Sequence, residues 1–343
     1  MDVAVEAFPI DGGFRISRAS KTEAVVVTVV LTRGDSRGRG ECVPYAHYGE
    51  SIDSVVAQIE AVRDQVESVL SQAASSVASL RQRMQTAMAA GAARNAVDCA
   101  LIDLECKERG EPLRRVVGME GMMEGNGDGD DGAVLTAFTI SLGEPAEMAR
   151  KAAKYPDRPL LKLKVTGEGD LGRIAAVHGA APHARIIVDA NEAWSKDDYL
   201  DLAPQLAALN VVLIEQPFPA KSALEEDLAS LPHPVPVCAD ESARDLASLH
   251  RLVSLYDCIN IKLDKSGGVT EALRMLAFCQ SAKLDVMVGC MVCSSLGVAP
   301  AFLLAQHARF VDLDGPLLLA KDRAVAAVYH GAMMQRPSTL LYG

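Results

Sequence analysis

LLKLKVTG (160–167), RIIVDANEAW (185–194), VVLIEQPF (211–218), PVPVCADES (234–242) and CINIKLDKSGG (258–268) repeat one pattern. Each is a short apolar run closed by a lysine, an aspartate or a glutamate. Helix-like segments such as DDYLDLAPQLAAL (197–209) and GVTEALRMLAFCQSA (268–282) separate them. Short apolar runs alternating with helical periodicity read as parallel βα units. Three further runs complete the series: AVLTAFTISL (133–142) before it, and DVMVGCMVC (285–293) and RFVDLDGP (309–316) after it. The steps Asp189–Glu215–Asp240–Lys262–Cys290–Asp312 are 26, 25, 22, 28 and 22 residues, so one strand-closing residue recurs per unit. Eight such units over residues 133–324 suit a (β/α)8-type barrel. A doubly wound sheet would more often carry a glycine-rich phosphate turn after its first strand, and none is present.

The texture differs N-terminal to this region. AVVVTVVLTRG (24–34) reads as part of an antiparallel meander. SIDSVVAQIEAVRDQVESVL (51–70) and NAVDCALIDLECKERG (95–110) then show helical periodicity, an α+β arrangement. GNGDGDDG (125–132) reads as a solvated linker. Its acidic spacing lacks the sixth-position Gly and twelfth-position Glu of a calcium loop, offering Asp131 and Ala137 there.

The chain has 343 residues, 49% of them hydrophobic, and a formal net charge of −11 with no basic run. That charge disfavours nucleic acid or an anionic membrane as partner. No apolar stretch reaches the ~18 residues of a membrane span. The opening MDVAVEAFPIDGG has neither the basic segment nor the apolar core of a secretory leader. Eight scattered cysteines, mostly in apolar segments, read as small core residues. These features together give the expectation of a cytoplasmic protein. Cys290 and Cys293 form a C-x-x-C, but no second pair or spaced histidines accompany it.

In a barrel, residues at the C-terminal strand ends share one mouth. Asp189, Glu215 and Asp240 come from three consecutive strands, and three converging carboxylates need a counter-charge. A hard cation with oxygen ligands, Mg²⁺ best of all, meets that need; zinc is less apt without histidine or cysteine in the set. Lys162 and Lys164, two apart on one strand, face the same side. Lys262 ends a strand beyond the three acids. The order around the ring is two lysines, three acids, one lysine. A lysine on each side of a metal-bound substrate points to proton transfer beside a carboxylate. Lys162 and the dication would lower the pKa of Lys164, and two bases on opposite faces permit inversion at carbon. A lysine base with Mg²⁺ and an ene-diolate is an established pattern of the enolase superfamily. The plainer alternative is a ring of lysines balancing acids, and it weighs most at Lys162.

The ordered set KLK (162–164), VDAN (188–191), IEQP (214–217), ADES (239–242), NIKLDKSGG (260–268), GCMVCSS (289–295) and DLDGP (312–316) resembles the dipeptide epimerases of the enolase superfamily, most closely the L-Ala-D/L-Glu epimerases. GRGECVPYAHYGES (38–51) and GAARNAVDCALIDL (91–104) extend the resemblance through the N-terminal half. It implies an α/β fold: a modified (β/α)7β TIM barrel at 133–324 under an α+β capping domain at 1–124, with the tail 325–343 returning to the cap. It implies one Mg²⁺ per subunit on Asp189, Glu215 and Asp240, with Asn191 behind the metal. Lys164 and Lys262 would be the acid/base pair, and Lys162 would help hold the substrate carboxylate. Asp312 and Asp314 would bind a dipeptide α-ammonium, with Leu313 turned into packing. Thr139 and Cys290 match positions near the substrate. Several family members carry Glu where Cys293 stands. The cap segment GGFRISRASKTEA (12–24) would read the substrate side chain through Arg15, Arg18 or Lys21, with Arg18 taken as the substrate-binding candidate.

The expectation is a Mg²⁺-dependent epimerase inverting the C-terminal residue of a dipeptide, preferably L-Ala-D-Glu/L-Ala-L-Glu, in recycling of murein peptides. Such a protein is compatible with a homo-oligomer. The rivals are a dipeptide epimerase of other specificity, an N-acylamino acid racemase, an o-succinylbenzoate synthase, a cycloisomerase, and a non-catalytic binding protein on the same fold.

Overall fold

The computed structural model describes residues 1–72, 74–119 and 132–343. Three antiparallel strands open the chain: β1 (Asp2–Ile16), β2 (Ala19–Arg33) and β3 (Ser36–Cys42), in that spatial order. Their alternation separates two faces. Val27, Val29 and Leu31 of β2 bury one face against the helices Ile52–Glu60, Arg63–Leu70, Val77–Ala87 and Ala92–Arg109. Val26 turns the other way, into the main core. The helix Ala92–Arg109 is buried along most of its length and lies directly on β3. That approach requires glycine. A Cβ on Gly40 would stand 2.1 Å from the Ala96 carbonyl oxygen, and one on Gly38 would stand 2.3 Å from that of Ala100.

The second half follows the expected alternation. After a short β4 (Val134–Leu135) come eight parallel strands: β5 (Phe138–Ile140), β6 (Leu160–Lys164), β7 (Arg185–Asp189), β8 (Val211–Glu215), β9 (Val237–Ala239), β10 (Cys258–Ile261), β11 (Asp285–Gly289) and β12 (Phe310–Asp312). Each pairs with its chain neighbours. The Ala137 N–H donates to Val311 O at 2.8 Å, bringing first and last strands together. An α-helix follows each of these strands except the last, which only a 3-10 turn (Gly315–Leu318) follows, and this makes the unit a (β/α)7β barrel under a separate antiparallel cap.

Strand parity sorts the barrel side chains. Leu161, Leu163, Ile186, Val188, Ile214, Val237, Ile259 and Ile261 point outward into the core shared with the helices. Ala137, Leu160, Ile187, Leu213, Cys238, Cys258, Met287 and Phe310 point inward and fill the barrel floor. Cys238 and Cys258 are therefore small floor residues. All eight cysteines are free, and all but Cys290 are buried. Met119 is buried in the main core, whereas Met122, Met123 and most of the Gly/Asp stretch 125–132 lie outside the described residues.

The C-terminal segment adds β13 (Tyr329–His330) and β14 (Met333–Met334), which pair with each other, β14 pairing with β4 on its other side. It then reaches the cap. Arg39 donates to Leu340 O and Leu341 O, and the Tyr342 hydroxyl donates to Cys99 O at 2.8 Å. Among the described residues no helix is long and apolar enough to cross a membrane.

Because the Gly40 contact is with rigid helix backbone, relief requires β3 and the helix to separate. Gly40→Val is expected to destabilise the protein by about 3 kcal/mol or to prevent folding; urea denaturation against the wild type measures this.

Candidate active site

The same parity that fills the floor raises a charged layer above it. Two residues beyond Leu160, Ile187, Leu213, Cys238 and Cys258 stand Lys162, Asp189, Glu215, Asp240 and Asn260, and two further along stand Lys164 at the end of β6 and Lys262 just past the end of β10. All seven are buried. Ligand oxygens of Asp189, Glu215 and Asp240 lie within 4.8 Å of one another, the one group of metal-holding geometry found among the described residues.

Four ammonium groups surround these acids. Lys164 Nζ lies 2.5 Å from Asp189 Oδ2, and Lys262 Nζ lies 2.7 Å from Asp240 Oδ2 on the opposite side. Lys162 Nζ contacts Asp189 (3.1 Å), Glu215 (2.7 Å) and Asp312 (2.8 Å), tying the triad to β12. Lys265 Nζ contacts Asp240 Oδ1 (2.5 Å) and Asn260 O (3.0 Å). The Asn260 side-chain amide donates to Glu215 Oε1 at 2.9 Å.

The acids respond unequally. Burial alone would raise Asp189, but Lys164 and Lys162 hold it at about 2. Asp240, also buried, is held well below the carboxylate range by Lys262 and Lys265. Burial and the adjacent Asp189 carboxylate push Glu215 up to about 8, so its charged form would gain from further positive charge at the triad. Three buried, hard oxygen donors with an unmet need for positive charge fit a divalent cation such as Mg²⁺.

Most of the sequence-predicted residues converge on one cleft of about 760 Å³, open to solvent, whose walls include Lys162, Lys164, Asp240, Lys262, Asn191, Thr139, Cys290, Asp312 and Asp314; Asp189 and Glu215 are fully buried and are not among its walls. Asp314 accepts from the Thr139 N–H at 2.6 Å, and burial beside Asp312 raises it to about 7. Thr139 Oγ1 donates to Asp312 Oδ1 at 3.4 Å. Leu313, between the two acids, is fully buried on the other side, and its carbonyl accepts from the Tyr329 hydroxyl. Asn191 adopts a left-handed φ of 45°. Its N–H donates to Asp189 Oδ1 (3.0 Å) and its amide donates to Glu241 Oε1 (3.1 Å). Cys293 is buried beside Gly297 and is not a wall of the cleft. Of the three cap cations, Arg18 and Lys21 line the cleft and Arg15 does not.

Two charged residues of the site went unread in the sequence. Lys265 sits three residues after Lys262, where the short helix Leu263–Ser266 turns it back under Asp240; the KLDK spacing carries that signal. Glu241 should by strand parity point away from the mouth, but β9 ends at Ala239 and the chain bends, so Glu241 is buried at the cleft wall. No local pattern predicts that bend.

The segment after Lys262 is fastened to the cap. Asp264 Oδ1 accepts from the Val43 N–H and from Asn95 Nδ2, both at 2.9 Å, and Val43 lines the cleft.

Comparison with known proteins agrees with this architecture. Residues 2–118 match the mandelate racemase/muconate lactonizing enzyme N-terminal domain, and residues 146–332 match the enolase C-terminal domain-like family. The chain is 39% identical to an L-Ala-D/L-Glu epimerase of Escherichia coli (strain K12), over 92% of this chain and 93% of that protein. It is 38% identical to an N-acetyl-D-glutamate racemase of a Pseudoalteromonas species, over 93% and 95%. A crystal structure of an enolase family member from Agrobacterium tumefaciens, with homology to dipeptide epimerases and with bound sodium and L-Ala-L-Glu, superposes with a TM-score of 0.91 at 46% identity. That match covers 100% of this chain and 99% of that one.

Burial raises Asp264 to about 7, despite its two hydrogen bonds, with Glu50 and Glu41 adding to the effect. The unfolded value is about 3.9. Between these values the folded state holds the extra proton, so this group's stabilising contribution is full below about pH 4 and is lost as pH rises through about 7. Asp264→Asn keeps the Oδ1 acceptor and removes the titration. Its stability should fall less steeply than the wild type's from pH 4 to 7, as read from urea midpoints across that range.

Proposed function

The chain belongs to the mandelate racemase/muconate lactonizing enzyme family of the enolase superfamily, and from that premise we propose that it inverts the α-carbon of the C-terminal residue of a dipeptide. That it is an isomerase follows from its epimerase and racemase relatives. The finer reading rests on one observation above all: Lys164 and Lys262 approach the same acid triad from opposite sides of one cleft.

The donor set favours a single Mg²⁺ on Asp189, Glu215 and Asp240. When bound, that ion supplies the positive charge that makes an α-proton beside a carboxylate acidic enough to remove. Lys164 Nζ and Lys262 Nζ then divide the work: the neutral amine of one accepts the α-proton, and the ammonium of the other delivers a proton to the opposite face. Reversing the assignment converts the other epimer. Lys162, buried between the triad and Asp312, holds both halves of the site in register and carries positive charge toward the substrate carboxylate. Asp312 and Asp314 accept the three N–H bonds of a free α-ammonium, with Thr139 orienting both.

Lys21 supports an acidic side chain on the substrate. It lies over the Tyr45 ring at 5.2 Å on the cleft wall and makes no ion pair among the described residues. L-Ala-D-Glu and L-Ala-L-Glu are therefore the preferred pair, and a role in recycling cell-wall peptides in the cytoplasm follows from that substrate.

N-acetylglutamate racemisation is the second reading, because a relative of nearly equal identity carries that name. Asp312 and Asp314 weigh against it, since an acylated nitrogen brings no positive charge to them.

Proton NMR in D₂O with Mg²⁺ tests the reaction. L-Ala-L-Glu should exchange its glutamyl α-proton and yield the other diastereomer. Lys164→Ala and Lys262→Ala should each abolish inversion and retain exchange of one epimer only, a different one in each variant. Exchange of both epimers by either variant would refute the two-base arrangement. Asp314→Asn should lower kcat/KM for the dipeptide about hundredfold without improving N-acetylglutamate turnover. Unchanged dipeptide turnover would remove the ammonium-binding role.

A further inference from the structure

Arg18 occupies the two-residue turn Ser17–Arg18 between β1 and β2, at the tip of the hairpin that hangs over the barrel mouth. Both terminal nitrogens of its guanidinium reach barrel groups. Nη2 donates to Glu241 Oε1 at 2.6 Å, and Nη1 donates to Asn191 O at 2.8 Å and to Glu192 Oε2 at 3.4 Å. Tyr45 closes the other side, its hydroxyl 3.4 Å from Nη2. The partner acid is unusual: the Glu241 side chain is only 2% exposed, and Arg18 is its one ion-pair partner among the described residues. A buried carboxylate next to Asp240 is costly without such a cation. The pairing thus satisfies the barrel and ties down the cap at once.

The tie acts on the substrate wall. Lys21 stands three residues beyond Arg18 on β2, and Phe14 and Ile16 precede it on β1; all three line the cleft. Across the hairpin, Phe14 is the register partner of Lys21. Nearer its base the hairpin is held to the barrel by the backbone bond from Ala320 N–H to Pro9 O, and Leu142 N–H donates to Arg15 O three residues before Arg18. At the tip the polar side-chain contacts of Arg18 do this.

We propose that Arg18 is a positioning residue: its ion pair with Glu241 pins the β1–β2 turn to the barrel rim and so sets Lys21 and the hairpin wall against the substrate. The assignment builds on the dipeptide epimerase reading and moves Arg18 from contacting substrate to holding the wall that does.

A double-mutant cycle tests it. Arg18→Met and Glu241→Gln should each raise KM for L-Ala-L-Glu about tenfold, with a smaller change in kcat. The double variant should be no worse than the worse single one, because both remove the same tie. Arg18→Lys, which keeps the charge, should recover part of the loss. Amide hydrogen exchange over residues 12–21 should quicken in substrate-free Arg18→Met protein. Additive losses, or unchanged exchange in the hairpin, would overturn the proposal. If the wild type leaves every dipeptide untouched, the functional reading fails, and the exchange comparison still decides the pinning.

Discussion

The structure depends on one electrostatic constraint: three carboxylates from adjacent strands are forced to within 4.8 Å of one another inside a barrel mouth. Strand geometry imposes it. Side chains two apart share a face, so any residue at the inward parity of a strand end enters the mouth. Burial makes the convergence expensive, and the protein answers with four lysines whose ammonium groups touch the triad. The answer is incomplete at Glu215, which burial and Asp189 hold at about 8. A site that still needs positive charge can bind a cation and polarise an anionic substrate with the same groups.

The cap solves a different problem. A barrel mouth alone presents charge to water, and one wall here comes from the N-terminal sheet. The two halves are fastened by buried polar contacts as well as by apolar packing. Asp264, two residues from Lys262, holds Val43 and Asn95 of the cap. Arg323, from the C-terminal segment, contacts Glu6 and Glu41 of the cap and Ser294 of the barrel in one cluster. Arg18 does the same at the hairpin tip. Each fastening lies within a few residues of a group lining the cleft, so cap position and site geometry are mechanically linked.

Much of this was legible in the chain. The recurring strand-closing residues predicted eight parallel strands, and all eight are present, together with the N-terminal meander and its helices. The i, i+2 spacing of Lys162 and Lys164 predicted a common face, and both enter the mouth. Leu313 is buried opposite its flanking acids, as strand alternation requires. Lys265 and Glu241 were not foreseen, because each reaches the site through a turn after the strand, where period-two reasoning stops. Arg18 was identified as a cation of the cap segment facing substrate, but its barrel partners lie 173 to 223 residues away in the chain.

The sequence by itself determined the barrel, the charged residues that close its strands and their order around it, because strand periodicity is a local rule and parallel units succeed one another in chain order. Only the tertiary structure decided which lysine faces which acid, how completely the acids are neutralised, and which cap cation is tied to the barrel and which lies over Tyr45 at the cleft. Those outcomes depend on burial and on distances of a few ångströms between segments far apart in the chain, and no local pattern encodes them.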